Sequence, residues 1–342
     1  MFALYHVLQS QNVDVEIINY IPNHVIHKRT RKKGLRDVAV AAVSAFVVKS
    51  SKSAFRDFEE QIIKYPQKPI TTTAELQVLA KRYDRIIVGS DQVWNPTVTG
   101  NDLNYYLAFS DEDKQKAAYA PSFGISQIPE EDRDHIAELL VQFKYLSVRE
   151  SQGHQIIRDL IGREVPVVLD PTMLILPEIW RKQKKQMKLP AGKYVLFYTI
   201  KPSLDLRQFA QKLADQNGLN LITIGGRLRE FLDYSKHPVS GVGPREFLSL
   251  IDGAEYVVTN SFHGTAFSII LQKNFYVEYS SDTNSRLMNI VDTFKLYDAV
   301  VDCDTLDKPH VQIDYDKVAR ILDVERKKSL EYLNGIVIGE NE

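Results

Sequence analysis

The sequence predicts an α/β protein built on two doubly wound parallel sheets, and three observations carry that expectation. Short β-branched runs recur along the chain, each ending in a turn signal and followed by a helix-like pattern, the order of parallel strands joined by helical crossovers. At 342 residues the chain exceeds what one hydrophobic core usually serves, so two domains of roughly 150 residues each are expected. An apolar content of 44% is enough to fill both cores.

Taken in order, the chain opens on a helical pattern, "MFALYHVLQ", and reaches its first strand run, "DVEIINYI", near Val13. Parallel α/β domains usually open on a strand whose exit loop carries part of the site, so this chain reads as starting one strand late. A helix over 71–83 leads to the strand "DRIIVGS", then come the strand "KAAYAPSFG", a helix over 130–143, the strand "YLSVRE", a helix over 150–162 and the strand "VPVVLD". The strands "YVLFYTI", "LNLITIGG", "AEYVVTNS" and "NFYVEYS" follow, with helices over 203–218 and 243–253 between them. Each of these helices places apolar residues three or four apart. Between the halves, residues 170–193 end a strand and pass through a proline-flanked, lysine-rich stretch, where Lys182, Lys184, Lys185 and Lys188 read as a solvated face.

Bulk chemistry narrows the function. The formal charge of −1 provides no global field for nucleic acid or an anionic membrane, so any anion site must be local. A single cysteine, Cys303, excludes an internal disulfide and a multi-cysteine metal site, and fits a reducing, cytoplasmic compartment. No segment reaches the roughly 18 to 20 apolar residues needed to span a bilayer, and the start lacks the order of a signal peptide, so a soluble protein is expected. The longest apolar run, residues 38–48, follows the basic stretch "HKRTRKKGLR". It reads either as a buried helix or as an interfacial one giving peripheral membrane contact through residues 28–48.

Strand exits are the places to look for chemistry, because ligands of open parallel sheets sit beyond the carboxyl ends of the strands. "IIVGSDQVWNP" brings Gly89, Ser90, Asp91, Gln92, Trp94 and Asn95 out of a strand, either as a polar loop with an aromatic wall suited to a sugar or as an Asx-type turn. At "SVRESQG", Arg149 offers a fork for phosphate or carboxylate, or an ion pair with Glu150 or Asp170. The Gly225–Gly226 pair is equally an anion-facing turn or a plain one. In "EYVVTNSFHGTAFSIILQ" the strand is expected at Tyr256–Val258, the loop at Thr259–Gly264 and a helix from Thr265. Asn260, Ser261 and His263 then stand at a helix N-terminus whose N–H groups favour an anion, with histidine suited to proton transfer near neutral pH. The competing reading is an Asn or Ser cap with His263 as a spacer. Ser285 and Arg286 open another amphipathic helix, and Arg286 is a candidate second cation over the same crevice.

Together "YDRIIVGSDQVWNP", "AAYAPSFG", "LSVRES", "VLDPTMLI", "NSFHGTAFSI" and "NSRLMNIV", in this order and spacing, resemble the polysaccharide pyruvyl transferase family over nearly the whole chain. The resemblance implies two Rossmann-like domains facing across a cleft in the GT-B manner. They are an amino-terminal domain over 1–178 on the acceptor side and a carboxyl-terminal one over 190–310 on the donor side, with a helix and tail at 311–342. It implies transfer of a pyruvyl group from phosphoenolpyruvate to a sugar or glycan acceptor as a cyclic ketal, on a cytoplasmic lipid- or nucleotide-linked precursor, with no metal or organic cofactor and no nucleic acid. In that chemistry His263 is the general acid/base, Arg149 and Arg286 clamp the donor's anionic groups, and the N–H groups after Asn260, through Ser261, Gly264 and Thr265, hold phosphate. Ser90, Asp91, Gln92 and Asn95 contact the acceptor. The chain departs from the family at Ser261, where some members carry arginine, and at its start, where the family's opening strand is missing along with one wall of the cleft. Two other readings stay open: a glycosyltransferase of the same architecture using a nucleotide sugar, with Asp233 or Glu278 on its ribose, and an inactive truncated paralogue serving a polysaccharide locus.

Overall fold

A computed structural model describes residues 1–22, 50–63, 65–110, 115–224, 237–279, 284–301 and 311–339. The chain is an α/β fold with two parallel sheets and divides into two compact units. Tyr65–Leu174, with the opening and closing segments of the chain, forms the first; Ile175–Ile321, with the helical stretch at 50–63, forms the second.

In the first unit α1 spans Phe2–Ser10, α2 Thr73–Ala80, β1 Arg85–Val88, α3 Pro96–Thr99, β2 Gln115–Ala118, α4 Arg133–Leu140, β3 Phe143–Leu146 and α5 Ser151–Ile161. The three strands are parallel in the order β1-β2-β3. Local chemistry sets the helix ends. Thr72 and Glu75 form a capping box at the start of α2, and α5 stops at Gly162, whose φ of +67° is reached readily only without a Cβ. The core gathers around Trp94, which stacks on Tyr106 at 5.3 Å and touches Phe123 and Phe143.

Two expected strands do not form. "DVEIINYI" joins no ladder and contributes a single bridge, Tyr20 to Ile70, while "VPVVLD" contributes one bridge, Val167 to Val148. Both runs have strand composition, but a strand needs a partner at pairing distance over several residues.

The second unit holds α6 (Pro177–Lys182), β4 (Tyr194–Tyr198), α7 (Leu204–Gln216), β5 (Asn220–Ile224), β6 (His237–Val239), α8 (Pro244–Gly253), β7 (Tyr256–Thr259), α9 (Phe262–Ile270), β8 (Asn274–Glu278), α10 (Asn284–Phe294) and β9 (Val300–Val301). Its strands run parallel in the order β6-β5-β4-β7-β8-β9. From β4 the chain therefore winds outward through β5 and β6, then returns to lay β7, β8 and β9 on the other side. Trp180 of α6 meets Phe267 of α9 edge-on at 5.0 Å. At the start of α8, a Cβ on Gly243 would fall 2.7 Å from the Cβ of Ala54, so this glycine lets the helical stretch at 50–58 lie against the α8 terminus. The last helix, α11, spans Tyr315–Ile338. Its later turns are tied into the first unit where Ser329 Oγ accepts from Leu169 N–H at 2.9 Å and Tyr332 donates to the Ala118 carbonyl at 3.1 Å.

Among the described residues no helix is long and apolar enough to cross a membrane. The basic and apolar stretch at 28–48, Gly225–Gly226, Asp233 and Cys303 lie outside the described residues. Because Trp94 is 1% exposed and encloses the first core, Trp94→Ala is expected to cost about 3–5 kcal/mol in denaturant unfolding of that unit, the range for truncating a buried large aromatic.

Candidate active site

The second sheet changes winding direction between β4 and β7, and the crevice at such a point, beyond the carboxyl ends of the strands, is where open α/β sheets bind ligands. One side chain ties this point together. Asn260, directly after β7, accepts from Ile200 N–H at 2.9 Å and donates to the Lys201 carbonyl at 2.9 Å, both in the exit loop of β4. Thr259 adds a bond from its hydroxyl to the Tyr198 carbonyl at 2.6 Å. Two neighbouring exit loops are thus fixed to each other by side chains buried to 5% exposure or less.

The helix after β7 starts three residues earlier than its composition suggests, at Phe262 rather than Thr265. The cause is Ser261, whose hydroxyl caps it by accepting from Gly264 N–H at 3.3 Å. His263 consequently sits in the first helical turn, half-buried, with its ring edge-on to Phe262 at 5.4 Å. The same cap decides what the other residues can do. Ser261 N–H bonds Thr259 Oγ1, Gly264 N–H bonds the cap, and Thr265 N–H and hydroxyl both go to the Ser261 carbonyl. Those three amides, expected to hold phosphate, are committed within the protein. Gly264 has a steric task instead: a Cβ there would press on the Thr259 side chain, with Thr259 Cβ at 3.1 Å, so the bare backbone lets α9 close onto the end of β7. Arg286, 8% exposed, lies in the first turn of α10, which follows β8 and packs against α9. His263 and Arg286 therefore both belong to first turns at the carboxyl end of one parallel sheet. Glu278, a candidate for holding a ribose, accepts from the Ser203 hydroxyl at 2.6 Å at the start of α7.

In the first unit, the exits of β1, β2 and β3, with the loop at Asp170, gather Ser90, Asp91, Ser122, Arg149, Glu150 and Asp170. Arg149 is 3% exposed and takes the ion-pair reading. Its Nη1 donates to Asp170 Oδ2 at 2.9 Å, with Asp91 at 3.6 Å and Glu150 at 3.9 Å. Burial disfavours its charge, but Asp170, Asp91 and Glu150 together outweigh that and raise its pKa. The carboxylates are bonded in turn: Asp170 accepts from Ser90 Oγ and from Thr172, and Glu150 from Ser122 Oγ at 2.7 Å. The guanidinium thus ties together the loops at Asp91, Glu150 and Asp170.

Of the expected acceptor residues, Asp91 is exposed and Ser90 and Gln92 half-buried, whereas Asn95 is turned inward as the cap of α3, accepting from Thr97 N–H at 3.0 Å. The Asx-type reading holds at Asn95, whose Oδ1 accepts from the N–H two residues on, while Asp91 Oδ1 accepts from its neighbour Gln92 N–H at 2.8 Å. Asp91 carries a φ of +89°, an uncommon conformation for a side-chain-bearing residue, secured by its carbonyl accepting from Ser122 N–H at 2.8 Å. Trp94 is no aromatic wall; its indole N–H goes to the Tyr105 carbonyl inside the core. Sequence reasoning missed the β4 exit loop at Ile200 and Lys201, which carries no motif and becomes significant only once β4 is known to neighbour β7. Among the described residues no cluster of His, Cys, Asp or Glu is arranged to hold a metal ion. Arg149→Met, which strands three carboxylates, is expected to destabilise the first unit by roughly 3–5 kcal/mol in urea unfolding, the usual cost of breaking a buried pair from one side.

Comparison with known proteins places this geometry. The solved structure of UDP-GlcNAc 2-epimerase from Methanocaldococcus jannaschii is similar at a TM-score of 0.53 and 14% identity, covering 95% of this chain and 88% of that one. That of UDP-GlcNAc 2-epimerase from Neisseria meningitidis bound to UDP-GlcNAc has a TM-score of 0.52 and 10% identity, covering 99% and 96%. E. coli ADP-heptose lps heptosyltransferase II has a TM-score of 0.39 and 12% identity, covering 96% and 95%. At these identities the epimerase likenesses show a GT-B-like fold and nothing of the chemistry. No curated protein matches the sequence. A family model described as polysaccharide pyruvyl transferase matches residues 1–282, the greater part of the chain and both sets of strand exits. The chain belongs to the polysaccharide pyruvyl transferase family, a family of transferases.

Proposed function

We propose that the protein transfers the pyruvyl group of phosphoenolpyruvate to two hydroxyls of one sugar in a polysaccharide precursor, releasing phosphate and leaving a cyclic ketal. The observation carrying this reading is the placement of His263 in the first turn of α9, beside the switch point between β4 and β7.

The overall change is balanced within the substrates. One sugar hydroxyl adds to C2 of the enol phosphate as C3 gains a proton and becomes a methyl group. The second hydroxyl then adds to C2 as the C2–O bond to phosphate breaks, and its proton leaves with phosphate. One group must move protons between oxygen and carbon, and cations must hold the donor's phosphate and carboxylate. His263 is assigned the proton transfers. Arg286 is assigned the donor's anionic end, supported by its position in the first turn of α10 and by the positive dipole end of α9 nearby. Arg149 is released from the clamp and kept as a strut for the β1, β2 and β3 exits, which leaves Asp91 and Gln92 as the acceptor contacts. Their support is exposure beyond the end of β1. Glu278, one of the two carboxylates considered for a ribose, accepts from the Ser203 hydroxyl through Oε1.

His263→Gln is expected to lower phosphate release from phosphoenolpyruvate and a glycan acceptor by at least 100-fold while leaving the melting temperature unchanged; full activity would overturn the assignment. Arg286→Ala is expected to raise KM for phosphoenolpyruvate by ten-fold or more with little change in the acceptor's KM, and equal changes in both would count against a donor clamp.

A further inference from the structure

The exit loop of β4, residues 199–203, is held at both of its ends. Asn260 accepts from the Ile200 N–H and donates to the Lys201 carbonyl. Further on, the Ser203 hydroxyl donates to Glu278 Oε1 at 2.6 Å and accepts from Leu206 N–H at 3.2 Å as the cap of α7. Pro202 fixes one more backbone angle between these anchors. Asn260 follows β7 and Glu278 ends β8, so the loop leaving β4 is tied to the ends of the two strands that come next in the sheet order β4-β7-β8.

Ile200 is 65% exposed on this pinned backbone. A lone exposed aliphatic is ordinary on a protein surface. Ile200 differs in what the sheet order sets beside it. Along three neighbouring strand ends stand Ile200 after β4, His263 in the first turn after β7 and Arg286 in the first turn of the helix after β8. By strand order, an aliphatic group lies on one side of the histidine and a guanidinium on the other. The aliphatic one has little freedom to retreat, since its own N–H is held by the amide three residues before the histidine.

The donor is asymmetric in the same sense. Around C2 of phosphoenolpyruvate the carboxylate and phosphate are anionic, whereas C3 is an apolar methylene that becomes a methyl group once protonated. Contact with an aliphatic side chain favours the carbon end and disfavours the carboxylate, which would lose water without gaining a partner. Resting on the function proposed above, we propose that Ile200 is a specificity-determining residue for the donor. Its side chain packs against C3, so that the methylene is presented to His263 for protonation while the carboxylate faces Arg286. A donor with a substituent on C3 then meets a side chain whose backbone is fixed, and is rejected by size.

The test follows phosphate release by the full chain from two donors with the same glycan acceptor. One is phosphoenolpyruvate; the other is (Z)-phosphoenolbutyrate, whose extra methyl on C3 lies trans to the carboxylate and so on the Ile200 side. The wild-type protein is expected to favour phosphoenolpyruvate by about ten-fold or more in kcat/KM, the lower end of what one methylene is worth in a fitted pocket. Ile200→Ala should shift the ratio toward the larger donor by at least ten-fold and Ile200→Val by less. As the side chain is mostly exposed, the melting temperature should stay in place in both variants. A residue with a merely structural role would lower both donors together and leave their ratio unchanged. That result, or a wild-type protein using both donors equally, overturns the inference and leaves pyruvyl transfer standing. A wild-type protein that releases no phosphate from phosphoenolpyruvate overturns both.

Discussion

The second unit depends on Asn260. A parallel sheet brings the exits of all its strands to one end, where the ladder no longer satisfies the backbone and each loop must find its own partners. At the switch point there is no crossover helix directly joining β4 to β7 to hold those exits in register. A single buried amide does so, accepting from one residue of the β4 exit and donating to the next. Thr259 reinforces it from one residue before, and the same threonine hydroxyl receives Ser261 N–H, so the chain from β7 into α9 is fixed before the helix begins. His263 inherits its position from these bonds. The residues flanking the histidine in "TNSFHGT" are thus chiefly its mounting.

The first unit solves the same problem at its strand ends with charge. Arg149 reaches three carboxylates drawn from the exits of β1 and β3 and from the loop at Asp170, and serine hydroxyls satisfy the remaining oxygens. Such an arrangement has little tolerance for partial loss, because each member removed leaves an ion buried without its counterpart. An amide clip costs far less to bury than a four-membered ionic cluster. The two units therefore reach rigid strand exits by routes with different sensitivity to substitution.

Much of this was legible in the sequence. The α/β class, the alternation of strands with helices and the location of candidate chemistry at strand exits all follow from periodicity and turn residues, as do the helices at 71–83, 150–162 and 203–218, which are present with shorter spans. What escaped was whatever depends on partners. "DVEIINYI" has a strand's composition but, among the described residues, makes only the one bridge from Tyr20 to Ile70, and Trp94 looks like a ligand wall until Tyr106, Phe123 and Phe143 are brought around it. Arg149 illustrates the limit best, since an arginine at a strand exit has the same local sequence whether it faces a substrate or three carboxylates. The start of α9 falls three residues before Thr265 because Ser261, one of the two residues expected as a cap, takes that role.

The chain has two tryptophans, and the fold assigns one to each unit: Trp94 in the first core and Trp180 against Phe267. Phe267 lies one turn beyond His263 on α9, so the emission of Trp180 is tied to the helix that carries the proposed acid/base, while Trp94 is sealed among aromatic rings elsewhere. The protein thus contains its own pair of optical probes. With Trp94 replaced by phenylalanine, the remaining emitter is the one whose ring packs against α9.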